Sequence, residues 1–233
     1  MTHNGQILVI SSSSAAKDDS IVIPSGWKVV DPSHYLDDRQ LLTMLVNLRK
    51  IVFSDPRADV GKNVTYAFDL YVRKGRAYKD LFKHNYSRIK ELLVESDIVE
   101  WFFLSGGFGI IHALEKAHRY QATFNYNIAH QRNIPYTGKI WNGTLVKICD
   151  HIFSKFTPTW VYVFGSRDYT NFIRRTRYWK KSEKIKIFES TGTSGPNWIS
   201  PILNELVTAI IENRIEDFNA KYEAKFIKQS PRK

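Results

Sequence analysis

Three short apolar runs, each followed by a polar or glycine-containing turn, constrain the fold of this chain most strongly. Each run is rich in β-branched and aromatic residues, which is typical of buried strands. A strand, a turn and a helix are expected to recur over residues 6–17, 98–120 and 160–179. This recurrence predicts an α/β fold in which a largely parallel sheet is flanked by helices.

The length and the apolar content favour one layered domain. The chain has 233 residues, of which 43% are hydrophobic, and this is enough to fill a core. No internal repeat is present. We therefore predict a single α/β domain over residues 1–220, followed by a basic tail over 221–233 that frays.

The charge balance indicates a polyanionic partner. The formal net charge is +11, which favours nucleic acid ahead of a membrane surface. Cys149 is the single cysteine and lies in an apolar run, so we predict that it is a core residue. Since one cysteine cannot form a disulfide within the chain, a reducing compartment is expected. Neither an apolar stretch of membrane-spanning length nor a secretion signal is recognisable, and a cytoplasmic location with no membrane partner is expected. The oligomeric state stays open.

The glycine-rich turn after residues 101–104 is the first candidate ligand site. Ser105, Gly106, Gly107 and Gly109 interrupt an apolar run and allow positive φ or a close approach to a ligand. In open α/β sheets, ligands bind at the carboxyl ends of the strands. The alternative is a tight strand-to-helix turn without a ligand.

A serine-rich turn after the first apolar run is the second candidate. Ser13, Ser14 and Lys17 supply hydroxyls, backbone N–H groups and a positive charge that could hold a phosphate. A solvated serine loop is an equally good interpretation.

A basic stretch near residues 167–186 favours contact with nucleic acid. Arginine binds phosphates in a bidentate manner, and the interleaved aromatic residues could stack on exposed bases. The alternative is a solvated helix whose aromatic residues lie in the core. The phosphate-binding candidates in this stretch are Arg167, Arg174, Arg175, Arg177, Lys180 and Lys181.

Neither a metal site nor a cofactor is predicted. The seven histidines are scattered, and neither a His-x-x-x-His nor a Cys-x-x-Cys spacing occurs. The glycine-rich turn lacks the Lys-Ser/Thr ending of a phosphate-binding P-loop.

Several ordered motifs resemble those of the YaaA-like superfamily, which includes peroxide-stress DNA-binding proteins. The turn SSAAK at 13–17 resembles the family's Cys-Ser-x-x-Lys turn. The stretch LSGGFGII at 104–111, followed by Glu115 and Tyr120, is similar to its glycine-containing core. Further resemblances lie at 69–71, 78–82 and 165–169.

Two departures from the family pattern matter. Ser13 stands where the family commonly has cysteine, so thiol chemistry is excluded there. Gln121 follows Tyr120 where Asp or Arg is usual, which removes an acid from that position. The resemblance implies an α/β protein that acts on or near nucleic acid, DNA ahead of tRNA. It extends to archaeal tRNA base-modifying enzymes and to phage-defence DNA glycosylases.

The resemblance implies a metal-free DNA glycosylase that flips and excises a modified base. Such an enzyme holds the flipped base in a pocket and uses a carboxylate to position water. We predict base-binding roles for Tyr71, Ser105, Gly106, Phe108, Tyr120 and Gln121. The catalytic candidates are Asp69, Glu115 and Asp168.

Two other functions remain open at this point. The first is a stress-related DNA-binding protein without chemistry. The second is a nucleotide-handling enzyme whose phosphate lies at residues 13–17.

Overall fold

One five-stranded sheet forms the centre of the computed structural model, which describes residues 6–190 and 195–227. The sheet order is β4-β3-β1-β6-β7, and only β4 runs antiparallel to its neighbour. A small second sheet pairs β2 with β5. The strands are β1 (Ile7–Ser12), β2 (Val64–Tyr66), β3 (Val99–Ser105), β4 (Gly109–His112), β5 (Lys116–His118), β6 (Trp160–Ser166) and β7 (Ile185–Ser190).

Helices cover both faces of the sheet, so the prediction of an α/β fold with a mostly parallel sheet is confirmed. Strands β1 and β3 are buried along nearly their whole length, as expected where a parallel sheet is covered on both faces. The helices are α1 (Arg39–Ser54), α2 (Ala67–Val72), α3 (Lys79–His84), α4 (Tyr86–Glu95), α5 (Tyr126–Arg132), α6 (Gly138–Phe156), α7 (Arg167–Arg174), α8 (Arg177–Lys181), α9 (Gly195–Ile211) and α10 (Ile215–Tyr222).

The glycine-rich turn differs from the predicted strand-turn-helix unit at 98–120. Ser105 pairs with Gly109 across a three-residue turn, so β3 is followed by the antiparallel strand β4 and not by a helix. Gly109 has φ +72°, and a Cβ at this position would lie 2.5 Å from the Trp141 ring. The reason is the buried β-branched pair Ile110 and Ile111, which extends the apolar run beyond the turn.

Three other segments also differ from expectation. The polar composition of 125–138 predicts a loop, but the stretch contains α5, whose N-cap Asn125 accepts a hydrogen bond from the Ile128 N–H. The small β2–β5 sheet has no recognisable signal in the sequence. The apolar spacing over 197–218 predicts one final helix, but this segment is divided between α9 and α10, and Asn213 adopts a left-handed backbone conformation between them.

The C-terminal segment predicted to fray packs on the edge of the sheet as far as it is described. Tyr222 and Phe226 are buried, and the Phe226 ring lies 5.0 Å from the Phe188 ring. The Ile227 N–H donates to the Ile187 carbonyl at 3.1 Å. These aromatic contacts extend the packed region past residue 220, and residues 228–233 lie outside the described part.

A buried ion pair fixes the β3–β4 hairpin against α1. Arg49 on α1 forms a short ion pair with Glu115, which also accepts a hydrogen bond from the Tyr35 hydroxyl at 2.8 Å. The Arg49 guanidinium also donates to the carbonyls of Phe108 at 3.0 Å and Ile110 at 2.7 Å. Burial alone would lower the pKa of Arg49, but the Glu115 carboxylate raises that pKa above its ordinary value.

We predict that Glu115→Gln lowers the free energy of unfolding by about 3 to 5 kcal/mol, because it leaves the buried Arg49 cation unpaired. Urea denaturation measures this change. Glu212→Gln is the matched control, since it removes a partner from the exposed pair with Arg214 and should cost less than about 1 kcal/mol. Equal effects of the two substitutions would contradict this role.

Candidate functional site

The carboxyl ends of the central strands form a crevice where the chain reverses its direction across the sheet. From β1 the chain leads to β3 on one side, and from β6 it leads to β7 on the other side. Ligands of open α/β proteins bind in this kind of crevice. Gly165 at the end of β6 allows β6 and β1 to approach closely, because a Cβ at this position would lie 3.1 Å from the Ser12 Cβ on β1.

The serine-rich turn after β1 is held in place from both sides. The Ser13 N–H donates to the Leu104 carbonyl at 2.7 Å, and the Asp18 N–H donates to the Leu70 carbonyl at 2.9 Å. Ser13, Ser14 and Lys17 are half-buried. The turn is therefore an anchored part of the carboxyl edge and not a loop surrounded by solvent.

Asp18 anchors this turn to the end of α2. Its carboxylate accepts hydrogen bonds from Ser20 at 2.6 Å and Arg73 at 3.0 Å, and it forms an ion pair with Lys74. Burial alone would raise the pKa of Asp18, but these partners lower that pKa well below its ordinary value. Asp18 therefore remains charged and holds two cations beside the turn.

A buried cluster of hydroxyl groups lies beneath the turn. The Tyr120 hydroxyl lies 2.5 Å from the Ser105 Oγ and 3.0 Å from the Tyr71 hydroxyl, and the Tyr71 hydroxyl lies 3.3 Å from the Ser105 Oγ. Burial and the neighbouring Tyr120 raise the pKa of Tyr71 well above its ordinary value. Three predicted base-binding residues are thus brought together.

Lys17 lies over this cluster, with its Nζ 4.3 Å from the centre of the Tyr120 ring. Burial lowers the pKa of Lys17, and the positive charges of Arg119 and Arg132 lower it further, while Tyr120 opposes the shift. Arg119 and Arg132 had no predicted role, because only the fold brings them towards Lys17. Together the three cations make this edge suited to an anion.

Tyr169 connects the serine turn to the hydroxyl cluster, and its role was also missed. It lies in the first turn of α7, 3.4 Å from the Thr123 Oγ1. Burial raises the pKa of Tyr169 to about 12, although hydrogen bonds with Thr123 and Ser13 oppose the shift. The sequence offered one signal, since Tyr169 ends the motif at 165–169.

Asp168 is the predicted catalytic acid that lies at this edge. It is half-buried in the first turn of α7, and its Oδ2 accepts a hydrogen bond from the Asn125 amide at 2.5 Å. No Lys, Arg or His lies within ion-pair distance of this carboxylate in the part of the chain that the structure describes. Its negative charge is therefore available to a ligand.

The other two candidate acids belong to separate ion pairs. Asp69 is fully buried on α2 and accepts hydrogen bonds from the Lys90 Nζ at 2.8 and 3.1 Å and from the Tyr86 hydroxyl. Glu115 is the partner of Arg49 described above. The three acids do not converge on the glycine-rich turn.

The aromatic faces predicted to stack on a base are covered by protein. Phe108 packs against the rings of Phe53 at 4.9 Å, His118 at 5.1 Å and Tyr120 at 5.4 Å. Tyr71 and Tyr120 are fully buried, and Phe108 nearly so. In this conformation the three rings support the carboxyl edge from below and are not open to a base.

The remaining predicted base-binding groups also have partners within the chain. The Gly106 carbonyl accepts hydrogen bonds from Thr137 at 2.8 Å and Trp141 at 3.1 Å. The Gln121 N–H donates to the Ala58 carbonyl at 2.5 Å, and its side chain is half-buried. These backbone contacts fix the turn and the segment after Tyr120.

The basic stretch is divided between the two ends of the sheet. Arg167 is exposed at the start of α7, at the carboxyl edge. Helix α8, with Arg177, Lys180 and Lys181, lies at the amino edge, because the neighbouring Tyr178 hydroxyl donates to the Pro158 carbonyl just before β6. These three cations of α8 therefore lie at the opposite end of the sheet from the glycine-rich turn, and their predicted phosphate-binding role stays a prediction.

Two other predicted phosphate ligands already contact neighbouring side chains. Arg174 forms an ion pair with Glu189 at 2.5 Å. Arg175 donates to the Asn142 side chain at 2.6 Å.

We define the carboxyl-edge site by the residues that meet at the ends of β1, β3 and β6. They are Ser13, Lys17, Tyr71, Ser105, Tyr120, Asp168 and Tyr169. Hydroxyls, one cation and one carboxylate are thus combined above a rigid sheet. This set of groups can bind a polar anionic ligand and position a water molecule.

Comparison with known proteins finds neither a matching family model nor a matching curated protein. The resemblance to the YaaA-like superfamily therefore stays a prediction. Among residues 6–190 and 195–227, no group of three metal-ligating side chains comes together. None of the helices in these ranges is long and apolar enough to cross a membrane.

We predict that the Lys17 Nζ titrates below its ordinary pKa of 10.5, because burial and two nearby arginines disfavour its charged form. Since the folded chain binds this proton less tightly than the unfolded chain, the stability contributed by this group grows as the pH rises through the folded pKa. NMR titration of the lysine side chains measures the midpoint. Arg132→Gln should raise it, whereas the control Arg214→Gln should not. A midpoint at or above 10.5 would contradict the described electrostatics.

Proposed function

We propose that the carboxyl-edge site binds one nucleotide of a nucleic acid strand and hydrolyses its N-glycosidic bond. The protein would then act as a DNA glycosylase that removes a modified base, with a role in defence against phage. DNA is the favoured substrate, and tRNA is the alternative polymer. The observation that carries the proposal is that Lys17 and Asp168 lie at one sheet edge, linked through Tyr120 and Tyr169.

The state of Asp168 supports its assignment as the catalytic carboxylate. Asp69 and Glu115 are neutralised by Lys90 and Arg49, so neither is free to act on a substrate. Asp168 instead accepts a hydrogen bond from the neutral Asn125 amide, which orients the carboxylate without cancelling its charge. A carboxylate in this state can activate water or stabilise positive charge on a sugar.

The cations around the turn support binding of a phosphate group. Lys17, Arg119 and Arg132 interact electrostatically, and Arg167 is exposed at the start of α7. Like charges at close range are unfavourable without an anion, so a bound phosphate would relieve their repulsion. The overall charge of +11 is consistent with a polyanionic substrate.

The proposed reaction is a hydrolytic displacement at the sugar. Water adds to C1′ while the C1′–N bond breaks, and the base leaves with the bonding electron pair and takes up a proton. Asp168 accepts a proton from the attacking water and offsets the positive charge that develops on the sugar. Lys17 holds the phosphate of the same nucleotide.

Binding without chemistry is the second candidate, and one observation favours it. The rings of Tyr71, Phe108 and Tyr120 are covered, so they offer no pocket in which a flipped base could stack. A stress-related DNA-binding protein needs no such pocket. A nucleotide-handling enzyme would also use Ser13, Ser14 and Lys17, but it would act on free nucleotides.

The single cysteine bears on the proposed location. Cys149 is buried and free, and burial raises its pKa far above the ordinary value, so it remains an inert thiol. The proposal accordingly places the protein in the cytoplasm.

We predict that Asp168→Asn slows base release by about 100-fold or more, because the amide cannot accept a proton from water. The assay incubates the purified protein with a panel of modified phage DNAs and measures abasic sites by alkaline strand cleavage. Affinity for the same DNA should be retained or increased, since a negative charge is removed near the phosphates.

Asp217→Asn is the matched control, because Asp217 lies in the first turn of α10 as Asp168 lies in the first turn of α7, and it is exposed. It should leave base release unchanged. Salt-sensitive DNA binding without abasic sites on any substrate would favour the binding-only function. Tight binding of free nucleotides that DNA does not compete with would favour the nucleotide-handling enzyme.

A further inference from the structure

Helix α5 exposes an aromatic pair that the fold leaves uncovered. Tyr126 is 63% exposed, and its ring is stacked on that of His130, with the centroids 6.5 Å apart and the planes inclined by 29°. The rings of Tyr126 and Tyr136 are perpendicular, with their centroids 5.5 Å apart. An open groove of about 530 Å³ lies beside the aromatic pair and is lined by Tyr126, Asn127, His130 and Gln131.

Both ends of α5 meet the carboxyl-edge site. Its N-cap Asn125 is the residue that donates to Asp168 at 2.5 Å. Its last residue, Arg132, contributes positive charge at Lys17. The aromatic pair therefore lies on the element that borders the two groups proposed to act on the nucleotide.

The charge around the pair favours an anionic partner. Helix α5 carries no acidic residue, and Arg132 and Lys139 are exposed on it and on the following helix. The Asp168 carboxylate keeps its charge at the N-terminal end of α5, where the Asn125 amide donates to it. Aromatic rings set among positive charges are the combination that binds single-stranded nucleic acid.

We propose that Tyr126 and His130 form a stacking face for the unpaired bases that flank the nucleotide in the carboxyl-edge site. The inference rests on the proposed function and adds that the substrate is single-stranded, or locally unpaired, at this point. A duplex hides its base faces in the stack, whereas unpaired bases present faces that a tyrosine ring can contact. The groove beside the rings would hold the edges of these bases.

The experiment measures fluorescence anisotropy of a labelled short oligodeoxythymidylate with four proteins: wild type, Tyr126→Ala, Tyr126→Phe and Lys17→Ala. We expect Tyr126→Ala to weaken binding by about 5- to 150-fold, the range for loss of one stacked base. Tyr126→Phe keeps the ring and should bind within about twofold of wild type. Since Tyr126 is exposed, both variants should unfold at the wild-type temperature.

Three further probes make the inference specific. An oligomer of the same length with abasic sugars should bind wild type and Tyr126→Ala equally, because it has no base to stack. Binding of deoxythymidine monophosphate should be weakened by Lys17→Ala and unaffected by Tyr126→Ala. A fully paired duplex should also be insensitive to Tyr126→Ala.

The outcomes separate this inference from the function on which it rests. Unchanged oligonucleotide affinity in Tyr126→Ala, or an equal loss for the duplex, overturns the stacking face even if Lys17→Ala weakens binding. An equal loss for the duplex would show that Tyr126 contacts the nucleic acid without stacking on unpaired bases. A loss confined to Tyr126→Ala, with no effect of Lys17→Ala and no abasic sites formed by the wild type on any substrate, supports the stacking face and overturns the proposed function.

Discussion

A single hydroxyl group, that of Ser105, joins the parts from which the carboxyl edge is built. It accepts a hydrogen bond from the Phe108 N–H at 3.0 Å, which closes the turn, and it bonds to the hydroxyls of Tyr71 and Tyr120. Strand β3, helix α2 and the segment that follows β5 are thereby held at fixed distances. Since a buried hydroxyl without partners is unfavourable, the three groups stabilise one arrangement. The rigid floor under Lys17 follows from this cluster.

This floor explains why charged groups can lie close together above it. Lys17 lies on the Tyr120 ring, and Tyr169 borders both the serine turn and Asp168. Lys17 and Asp168 remain separate charges because each contacts a neutral group, the Tyr120 ring and the Asn125 amide respectively. The basic helix α8 lies at the opposite end of the sheet and makes no contribution to this geometry. Positive charge at the carboxyl edge comes instead from residues scattered along the chain.

Local patterns in the sequence predicted much of the fold but little of the site. Apolar runs indicated β1, β3 and β6, because a strand buried on both faces shows in composition alone. The glycine-rich turn was ambiguous, since three glycines permit a hairpin as readily as a helix start. Glu115 was named as a catalytic candidate because the sequence did not reveal its ion pair with Arg49. The two residues are 66 positions apart, and such a pair leaves no local pattern. The contributions of Arg132 and Tyr169 to the site were missed because the order of the strands, and not a local pattern, brings these residues to the carboxyl edge.

Photocrosslinking of a bromodeoxyuridine-containing single strand, followed by mass spectrometry of the linked peptides, would locate the bound nucleic acid directly. We expect crosslinks in the peptides that contain Lys17, Tyr126 and Tyr169, all at the carboxyl edge. Competition with unlabelled single strand should remove them. Crosslinks confined to the peptide of α8 would place the nucleic acid at the amino edge of the sheet and would rule out a carboxyl-edge site.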